Sequence, residues 1–127
     1  DYIGESRDVV DTMSVSAVRI ANNIRARLIV CLTESGGTAR MMARFRPHHG
    51  IIAITPHEQT FNQLQLLYGC KPVLNTMSGS IDQVSKEIQK LVKKNNWAEP
   101  GEKIVVTAGT PFGKIGSTNT VFVISAV

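Results

Sequence analysis

Residues 28–40 of the chain read LIVCLTESGGTAR. Leu28–Leu32 is a continuous apolar run of strand length, and a run without alternating polar residues is typical of a strand that is covered on both faces. A polar, glycine-containing turn follows at Thr33–Thr38, and helical spacing of apolar residues begins directly after it. Strand, turn and helix in this order form the unit of parallel α/β sheets, so this stretch predicts an α/β fold.

The rest of the chain repeats the alternation of apolar strand and amphipathic helix. Successive strands joined by right-handed helical crossovers lie parallel, with helices on both faces of the sheet. No helix precedes the last strand, so we expect it to lie antiparallel at an edge. Strands are predicted at 28–32, 51–55, 71–74, 103–108 and 120–127, and helices at 8–25, 38–45, 56–67 and 80–95.

Three details of this assignment can be checked directly. Pro56 is predicted to be the first residue of the third helix, because proline suits that position. The strands at 28–32, 51–54 and 104–106 are expected inside the sheet, since they lack polar alternation. Helical spacing predicts that the following residues face the core: Ala39, Met42, Ala43 and Phe45 in the second helix, and Ile81, Val84, Ile88, Leu91 and Val92 in the last.

Composition limits the class of protein. The chain has 127 residues, of which 43% are hydrophobic, so we expect one domain over residues 1–127. Its net charge of +4 comes from basic residues spread along the chain, and aromatic residues make up only 6%, so nucleic acid is not an expected partner. No apolar run approaches membrane-spanning length and no signal peptide is evident, which favours a soluble, cytoplasmic protein without membrane contact.

Two further features concern the thiols and the first residue. Cys31 lies in an apolar strand and Cys70 follows another apolar stretch, so both are predicted to be buried free thiols rather than a disulfide. The chain begins at Asp1 without an initiator methionine, and we therefore expect it to be a segment of a longer protein.

The turn after the first strand has residues suited to binding a phosphate group. Ser35 or Thr33 can cap the following helix, Gly36 and Gly37 allow backbone amides to approach a ligand, and Thr38 adds a hydroxyl at the positive end of the helix dipole. Many α/β domains use such a turn only as a helix cap, and it matches neither the P-loop nor GxGxxG. Both interpretations, phosphate cradle and simple cap, are open at this point.

Other polar residues are less informative. His48, His49, His57 and Glu58 show no helical pair of metal ligands, so they are interpreted as surface residues and no metal site is predicted. Ser35 has no evident histidine and acidic partner for nucleophilic catalysis. Three arginines could contact an anion or a partner subunit, although a solvated helix face is the simpler interpretation: Arg40, Arg44 and Arg46.

Three motifs in order make the chain resemble a known family. They are LTESGGTARMMARFRP, LLYGCKPV and TAGTPFGKIGSTN, and together they extend over nearly all of the chain. In this order they resemble the C-terminal domain of pyruvate kinase, in its bacterial form. The resemblance implies a three-layer αβα fold around a five-stranded, mostly parallel sheet of order 3-2-1-4-5, with strand 5 antiparallel.

The resemblance also implies a site. In the family, the crevice between strands 1 and 4 binds an allosteric effector, the Ser/Thr/Gly turn holds a phosphate group of a sugar phosphate, and the later glycine-rich loop closes over it. Lys114 in that loop could supply a mobile cation. The matching positions here are Thr33, Ser35, Gly36, Gly37 and Thr38 in the turn, and Gly113, Lys114 and Gly116 in the loop.

The chain departs from the family at one position that matters. Eukaryotic members regulated by fructose 1,6-bisphosphate carry a tryptophan and an arginine that bind the second phosphate, and the position that matches the arginine is Val84 here. Lys86 is nearby, but it belongs to a basic, solvated helix face. Monophosphates such as AMP, ribose 5-phosphate or glucose 6-phosphate are therefore expected as effectors at least as much as the bisphosphate.

For function, the resemblance implies a regulatory and subunit-assembly domain without catalytic residues or a cofactor of its own. The parent enzyme would be a homotetramer that transfers a phosphoryl group from phosphoenolpyruvate to ADP in a separate TIM barrel, with Mg and K ions. The partners would be a phosphorylated metabolite, that barrel and further subunits. The alternative is a free-standing small enzyme or phosphometabolite-binding protein that uses the same crevice.

Overall fold

The computed structural model describes residues 5–45, 48–108 and 120–127, with the backbone alone for residues 5–11. Within these ranges, four helices flank a five-stranded sheet. The elements in chain order are α1 (Glu5–Ile24), β1 (Leu28–Leu32), α2 (Gly37–Arg44), β2 (Gly50–Thr55), α3 (Glu58–Leu64), β3 (Cys70–Leu74), α4 (Ile81–Asn95), β4 (Lys103–Ala108) and β5 (Thr120–Ser125).

The sheet has the order β3-β2-β1-β4-β5. Strands β1 to β4 are parallel, and β5 pairs antiparallel with β4 at one edge. This confirms the predicted fold class, the sheet order and the antiparallel last strand. The three continuous apolar strands, β2, β1 and β4, occupy the interior of the sheet as predicted, because only there is a strand covered on both faces.

Alternating residues of each strand feed two separate hydrophobic layers. On β1, Ile29 and Cys31 pack in the layer formed with α1, α2 and α3, whereas Leu28 and Val30 pack in the layer under α4. Three helices therefore cover one face and α4 covers the other. This arrangement follows from the right-handed crossovers. The connections from β1 to β2 and from β2 to β3 run in one direction along the sheet and place α2 and α3 on one face, whereas the connection from β3 to β4 runs in the opposite direction and places α4 on the other face.

The boundaries of α3 differ from the prediction. Pro56 is not the first helical residue, because the Thr55 hydroxyl accepts the His57 amide at 3.2 Å and His57 is extended, so the helix begins at Glu58. The helix ends at Leu64 rather than at 67. Beyond it, Leu67 donates to the Leu64 carbonyl in an i→i−3 bond, which tightens the chain out of α-helical geometry.

Two predicted core residues are also wrong. Phe45 is the C-cap of α2 and is 46% exposed, and Ile81 is the first residue of α4 and is 43% exposed. Both lie at a helix end, where the chain leaves the sheet surface and a side chain no longer reaches the core. The other residues predicted to face inward are buried or half-buried.

Candidate functional site

The turn after β1 lies at the carboxyl end of the sheet, beside the switch point between β1 and β4. The Thr33 amide donates to the Ile54 carbonyl at 2.9 Å, which continues the β1–β2 ladder by one residue. The Thr33 hydroxyl accepts a hydrogen bond from the amide of Gly36 at 2.8 Å, and this bond holds the turn in its conformation. Ligands of doubly wound sheets bind in this crevice, where crossovers diverge.

Gly36 determines how helix α2 begins. It is the N-cap residue and has a φ of +87°, in the left-handed region that favours glycine. The predicted capping of α2 by Ser35 or Thr33 is wrong, because the N-cap position is occupied by a residue that has no side chain. The N-cap therefore offers no side-chain acceptor to the amides of the first helical turn.

The five turn residues that the sequence singled out divide by burial. Thr33, Gly36 and Thr38 are buried, whereas Ser35 and Gly37 are exposed. A side chain added at Gly37 would meet only the Ser35 hydroxyl, at 3.6 Å, so the backbone here is open to an approaching ligand. The structure thus brings the turn residues together and presents two of them to solvent.

Arg40 is bound to the same turn. Its Nη1 donates to the Ser35 carbonyl at 2.9 Å, and its Nη2 donates to Gln63 Oε1 on α3 at 3.1 Å. Its guanidinium lies so close to Gly36 that a Cβ there would come within 3.0 Å of Nη1. The interpretation of Arg40 as a merely solvated residue was therefore incomplete, since its positive charge is held beside the helix N-terminus.

Glu34 joins the turn to α3 by two contacts that the sequence did not suggest. Its backbone carbonyl accepts the Thr60 hydroxyl at 2.9 Å, and its carboxylate contacts the His57 Nε2 at 2.5 Å. His57 is exposed, as predicted, but it has this specific partner. Residues 34 and 57 are 23 apart in sequence, and only the pairing of β1 with β2 brings the ends of these strands together.

The remaining predicted residues fall elsewhere. Gly113, Lys114 and Gly116 lie outside the described residues, as does Arg46. Val84 is fully buried against the sheet on the opposite face, where it has no access to solvent, and Lys86 is exposed on α4. The pairing of Cys31 with Thr107 places the carboxyl end of β4, up to Ala108, beside that of β1.

The described ranges were compared with the requirements of a metal site and of a membrane-spanning helix, and they meet neither. No group of three or more His, Cys, Asp or Glu residues is arranged to hold a metal ion among them. His49, for example, contacts the Ala26 carbonyl and the Asn22 side chain, each at 2.8 Å. None of the described helices combines the length and the apolar character needed to cross a membrane.

The geometry defines a class: an α/β domain with a glycine and hydroxyl turn at the switch point of a mixed sheet. Comparison with known proteins specifies the family. The family model described as "Pyruvate kinase, alpha/beta domain" matches residues 11–124, so the chain belongs to this family, and the resemblance noted from the sequence is confirmed.

Individual relatives agree with this assignment. Pyruvate kinases of Staphylococcus aureus, strains USA300 and bovine RF122 / ET3-1, are each 35% identical over 111 residues, which is 87% of this chain and 19% of theirs. A crystal structure of a pyruvate kinase from Cryptosporidium parvum superimposes with a TM-score of 0.81 and 25% identity, covering 94% of this chain and 23% of that one. The chain thus spans about a fifth of the length of these curated relatives.

Proposed function

We propose that this chain is the regulatory and assembly domain of a pyruvate kinase, and that its β1–α2 turn binds the phosphate group of a small metabolite. The whole chain, residues 1–127, acts as one domain. The parent enzyme transfers a phosphoryl group from phosphoenolpyruvate to ADP in the cytoplasm and assembles as a homotetramer. Family membership supports the assignment to pyruvate kinase, and the geometry of the turn supports the phosphate site.

One observation carries the binding proposal: the first turn of α2 has a glycine N-cap with an exposed Gly37 after it. A helix N-terminus carries a partial positive charge of about half an elementary charge and unpaired amides, and both favour an anion. Because Gly36 has no side chain, the acceptor that usually occupies this position is missing from the protein itself. A phosphate oxygen supplies such an acceptor.

Arg40 and Glu34 are the charged groups beside this turn. The guanidinium of Arg40 donates to the Ser35 carbonyl, and the Glu34 carboxylate is already paired with the imidazole of His57. A charge-assisted hydrogen bond to phosphate is roughly twice as strong as a neutral one. Arg40 therefore strengthens phosphate binding, while the Glu34–His57 pair limits the repulsion that a free carboxylate would exert.

The expected ligand is a monophosphate rather than a bisphosphate. The position at which bisphosphate-regulated members carry an arginine is Val84, whose side chain is completely buried in the layer under α4. The second phosphate would therefore lack its partner. AMP, ribose 5-phosphate and glucose 6-phosphate remain the candidates, and we propose that Gly113, Lys114 and Gly116 belong to a loop that closes over them.

An NMR titration of the 127-residue chain tests this site. Inorganic phosphate, AMP, ribose 5-phosphate, glucose 6-phosphate and fructose 1,6-bisphosphate are added separately while backbone amide shifts are followed. The largest changes are expected at Ser35–Thr38 and near Lys114. Gly37→Glu, which places a carboxylate in the cradle, is expected to abolish them, and Gly37→Gln serves as the neutral control of the same size.

Two results would contradict the proposal. If the shifts concentrate on the basic face between Lys86 and Lys94, the chain binds anions only through its general positive charge. If they persist at Ser35–Thr38 in Gly37→Glu with unchanged affinity, the shifts do not report a phosphate group in the turn, because a carboxylate there would repel it.

A further inference from the structure

One side of α3 and its N-cap makes three polar contacts with the turn and the first residues of α2. The contacts come from His57, Thr60 and Gln63, which are three apart in sequence and therefore lie on one side of the helix. His57 contacts the Glu34 carboxylate, and Thr60 donates to the Glu34 carbonyl. Gln63 accepts from the guanidinium of Arg40. The proposed phosphate site is thus attached to a neighbouring helix as well as to the sheet.

Two successive carbonyls of the turn have their donors on the side of α3. The Glu34 carbonyl accepts the Thr60 hydroxyl at 2.9 Å, and the Ser35 carbonyl accepts Arg40 Nη1 at 2.9 Å. Nη2 of the same guanidinium is held by Gln63 Oε1 at 3.1 Å. A carbonyl oxygen carries partial negative charge, so a carbonyl that faced a bound phosphate would repel it. These hydrogen bonds keep both oxygens occupied elsewhere.

The orientation of the Glu34 carbonyl also determines where the Ser35 amide points. In a trans peptide the N–H and the C=O point in opposite directions, so the Ser35 amide is directed away from α3. Among the described residues this amide has no hydrogen-bond partner, and Ser35 is exposed. Helix α3 packs against β2 and β3, whereas β4 lies on the other side of β1. The amide therefore points to the side of the turn on which the crevice lies.

Gln63 holds Arg40 without neutralising its charge. Both acceptors of the guanidinium are uncharged, since one is a backbone carbonyl and the other is a side-chain amide oxygen. Within the described ranges, no carboxylate lies at ion-pair distance from Arg40. An arginine remains charged at every physiological pH, so this guanidinium is held in place with its positive charge uncompensated by those residues.

We propose that Thr60 and Gln63 are positioning residues of the phosphate site. This inference rests on the proposed function. Neither residue contacts the phosphate: Thr60 acts through the Glu34 carbonyl, and Gln63 acts through Arg40. Together they hold the carbonyls of the turn on the side of α3 and leave its amides toward the crevice. The affinity of the turn for an anion therefore depends on a helix that does not contact the anion.

Phosphate titrations of matched variants test this proposal. Inorganic phosphate is added to variants of the 127-residue chain, and its Kd is taken from the amide shifts at Ser35–Thr38, at a temperature at which every variant is folded. Thr60→Val removes the hydroxyl and Gln63→Met removes the acceptor, and each should raise Kd by roughly threefold to tenfold, the usual contribution of one hydrogen bond. Thr60→Ser restores the hydroxyl and should bind as the parent does. Gln59→Met, at an exposed position of α3 without a contact to the turn, is the control and should leave Kd unchanged.

A double-mutant cycle tests whether Gln63 acts through Arg40. Arg40→Met removes the guanidinium and should raise Kd by itself. In that background Gln63→Met should raise Kd no further, because the effects of two residues in one contact are not additive. Fold-changes that multiply in the double variant would show that Gln63 acts independently and would overturn its assigned role. A lower Tm with an unchanged Kd would also overturn it, since that is the result of a purely structural contact.

A measurement without any anion separates this inference from the proposed function. The Gly36 amide donates to the Thr33 hydroxyl within the turn, so its hydrogen exchange reports how firmly the turn is held. Thr60→Val and Gln63→Met should accelerate this exchange by about threefold or more, and Gln59→Met should not.

The two kinds of failure give different results. If the parent chain binds no phosphate although the Gly36 exchange rates change as expected, the phosphate function is wrong and α3 still positions the turn. If phosphate binds the parent and both variants with equal Kd, and Gly36 exchanges at one rate in all of them, the positioning role is wrong and the phosphate function stands.

Discussion

Two adjacent glycines have opposite roles in the turn after β1. Gly36 has a φ of +87°, and a Cβ there would lie 3.0 Å from Arg40 Nη1 and 3.2 Å from Leu64 Cδ2. Gly37 has an ordinary backbone and open space around it. Gly36 is thus required by the fold, whereas the fold accepts a side chain at position 37.

Alanine substitutions separate these roles. Gly36→Ala is expected to lower the free energy of unfolding by roughly 1–3 kcal/mol, because a left-handed backbone with a Cβ is strained and Arg40 and Leu64 must move. Gly37→Ala is expected to leave stability unchanged or to raise it by up to about 1 kcal/mol. Urea unfolding of both variants measures the difference, and equal losses would mean that Gly36 is not under the inferred constraint.

Cys31 gives a prediction for the alkaline range. Burial raises the pKa of its thiol from 9.0 to about 12. Both cysteines are free, as predicted; Cys31 is buried, and Cys70 is only partly so. Above pH 9 the unfolded state releases the Cys31 proton and the folded state retains it, so the contribution of this residue to stability falls as pH rises from about 9 to 12.

The expected size of this effect is a few kcal/mol, since each pKa unit corresponds to about 1.4 kcal/mol. Urea unfolding of the parent chain and of Cys31→Ala between pH 8 and pH 11 isolates it, because lysines and tyrosines titrate in both. The stability difference between the two proteins should shift in favour of Cys31→Ala as pH rises. A difference that does not change with pH would show that the thiolate is accommodated in the fold.

At the scale of the elements, the sequence predicts a structural feature when the physical cause of that feature lies within the element itself. The interior strands were predicted because both of their faces are apolar, and that is a property of each strand alone. The limits of α3 were not, since they depend on the Thr55–His57 hydrogen bond and on i→i−3 bonds after Leu64. Propensity carries no information about such contacts.

The candidate site also combines features with a local cause and features that depend on residues distant in sequence. The glycine and hydroxyl residues of the turn are adjacent in sequence, so the turn was found. The contacts of Arg40 with Gln63 and of Glu34 with His57 join residues 23 positions apart, and they exist only because β1 pairs with β2. The failed prediction that Ser35 caps α2 has a local cause, since Gly36 occupies the N-cap position in a conformation that serine disfavours.

Helix α4 provides a test of capping. Ser80 Oγ accepts the Gln83 amide at 3.1 Å and Gln83 Oε1 accepts the Ser80 amide at 2.8 Å, which forms a reciprocal capping box. Ser80→Ala is expected to lower the free energy of unfolding by about 1 kcal/mol. Ser78→Ala, at an exposed position just before it, is the control and should change stability by less than about 0.5 kcal/mol. Equal effects in chemical unfolding would show that the box contributes nothing.

At the scale of the whole molecule, the carboxyl ends and the amino ends of the parallel strands differ in chemistry. At the carboxyl ends of the strands lie the N-terminus of α2, the exposed residue Ser35 and Arg40, which suit an anion. At the opposite ends, large apolar side chains such as Leu66 and Tyr68 are exposed. A ligand at the carboxyl ends can influence a distant part of a parent enzyme only if it binds two states of that enzyme with different affinity.

The last prediction concerns the stability of the whole domain in the presence of phosphate. A ligand that binds only the folded state stabilises it by RT ln(1 + [L]/Kd), which is about 1.4 kcal/mol at ten times Kd. For a domain of this size that corresponds to an increase in Tm of roughly 3–6 °C. Phosphate also stabilises proteins in general because it is excluded from their surfaces, so the increase in Tm alone does not identify a site.

The variant Gly37→Glu separates the two effects. It should keep the general increase in Tm and lose the saturable part, whereas Gly37→Gln should retain the saturable part. Calorimetric scans against phosphate concentration, with chloride at matched ionic strength, measure both parts. If the parent chain and Gly37→Glu show the same increase at every concentration, phosphate acts on the surface as a whole and the turn at residues 33–38 does not bind it.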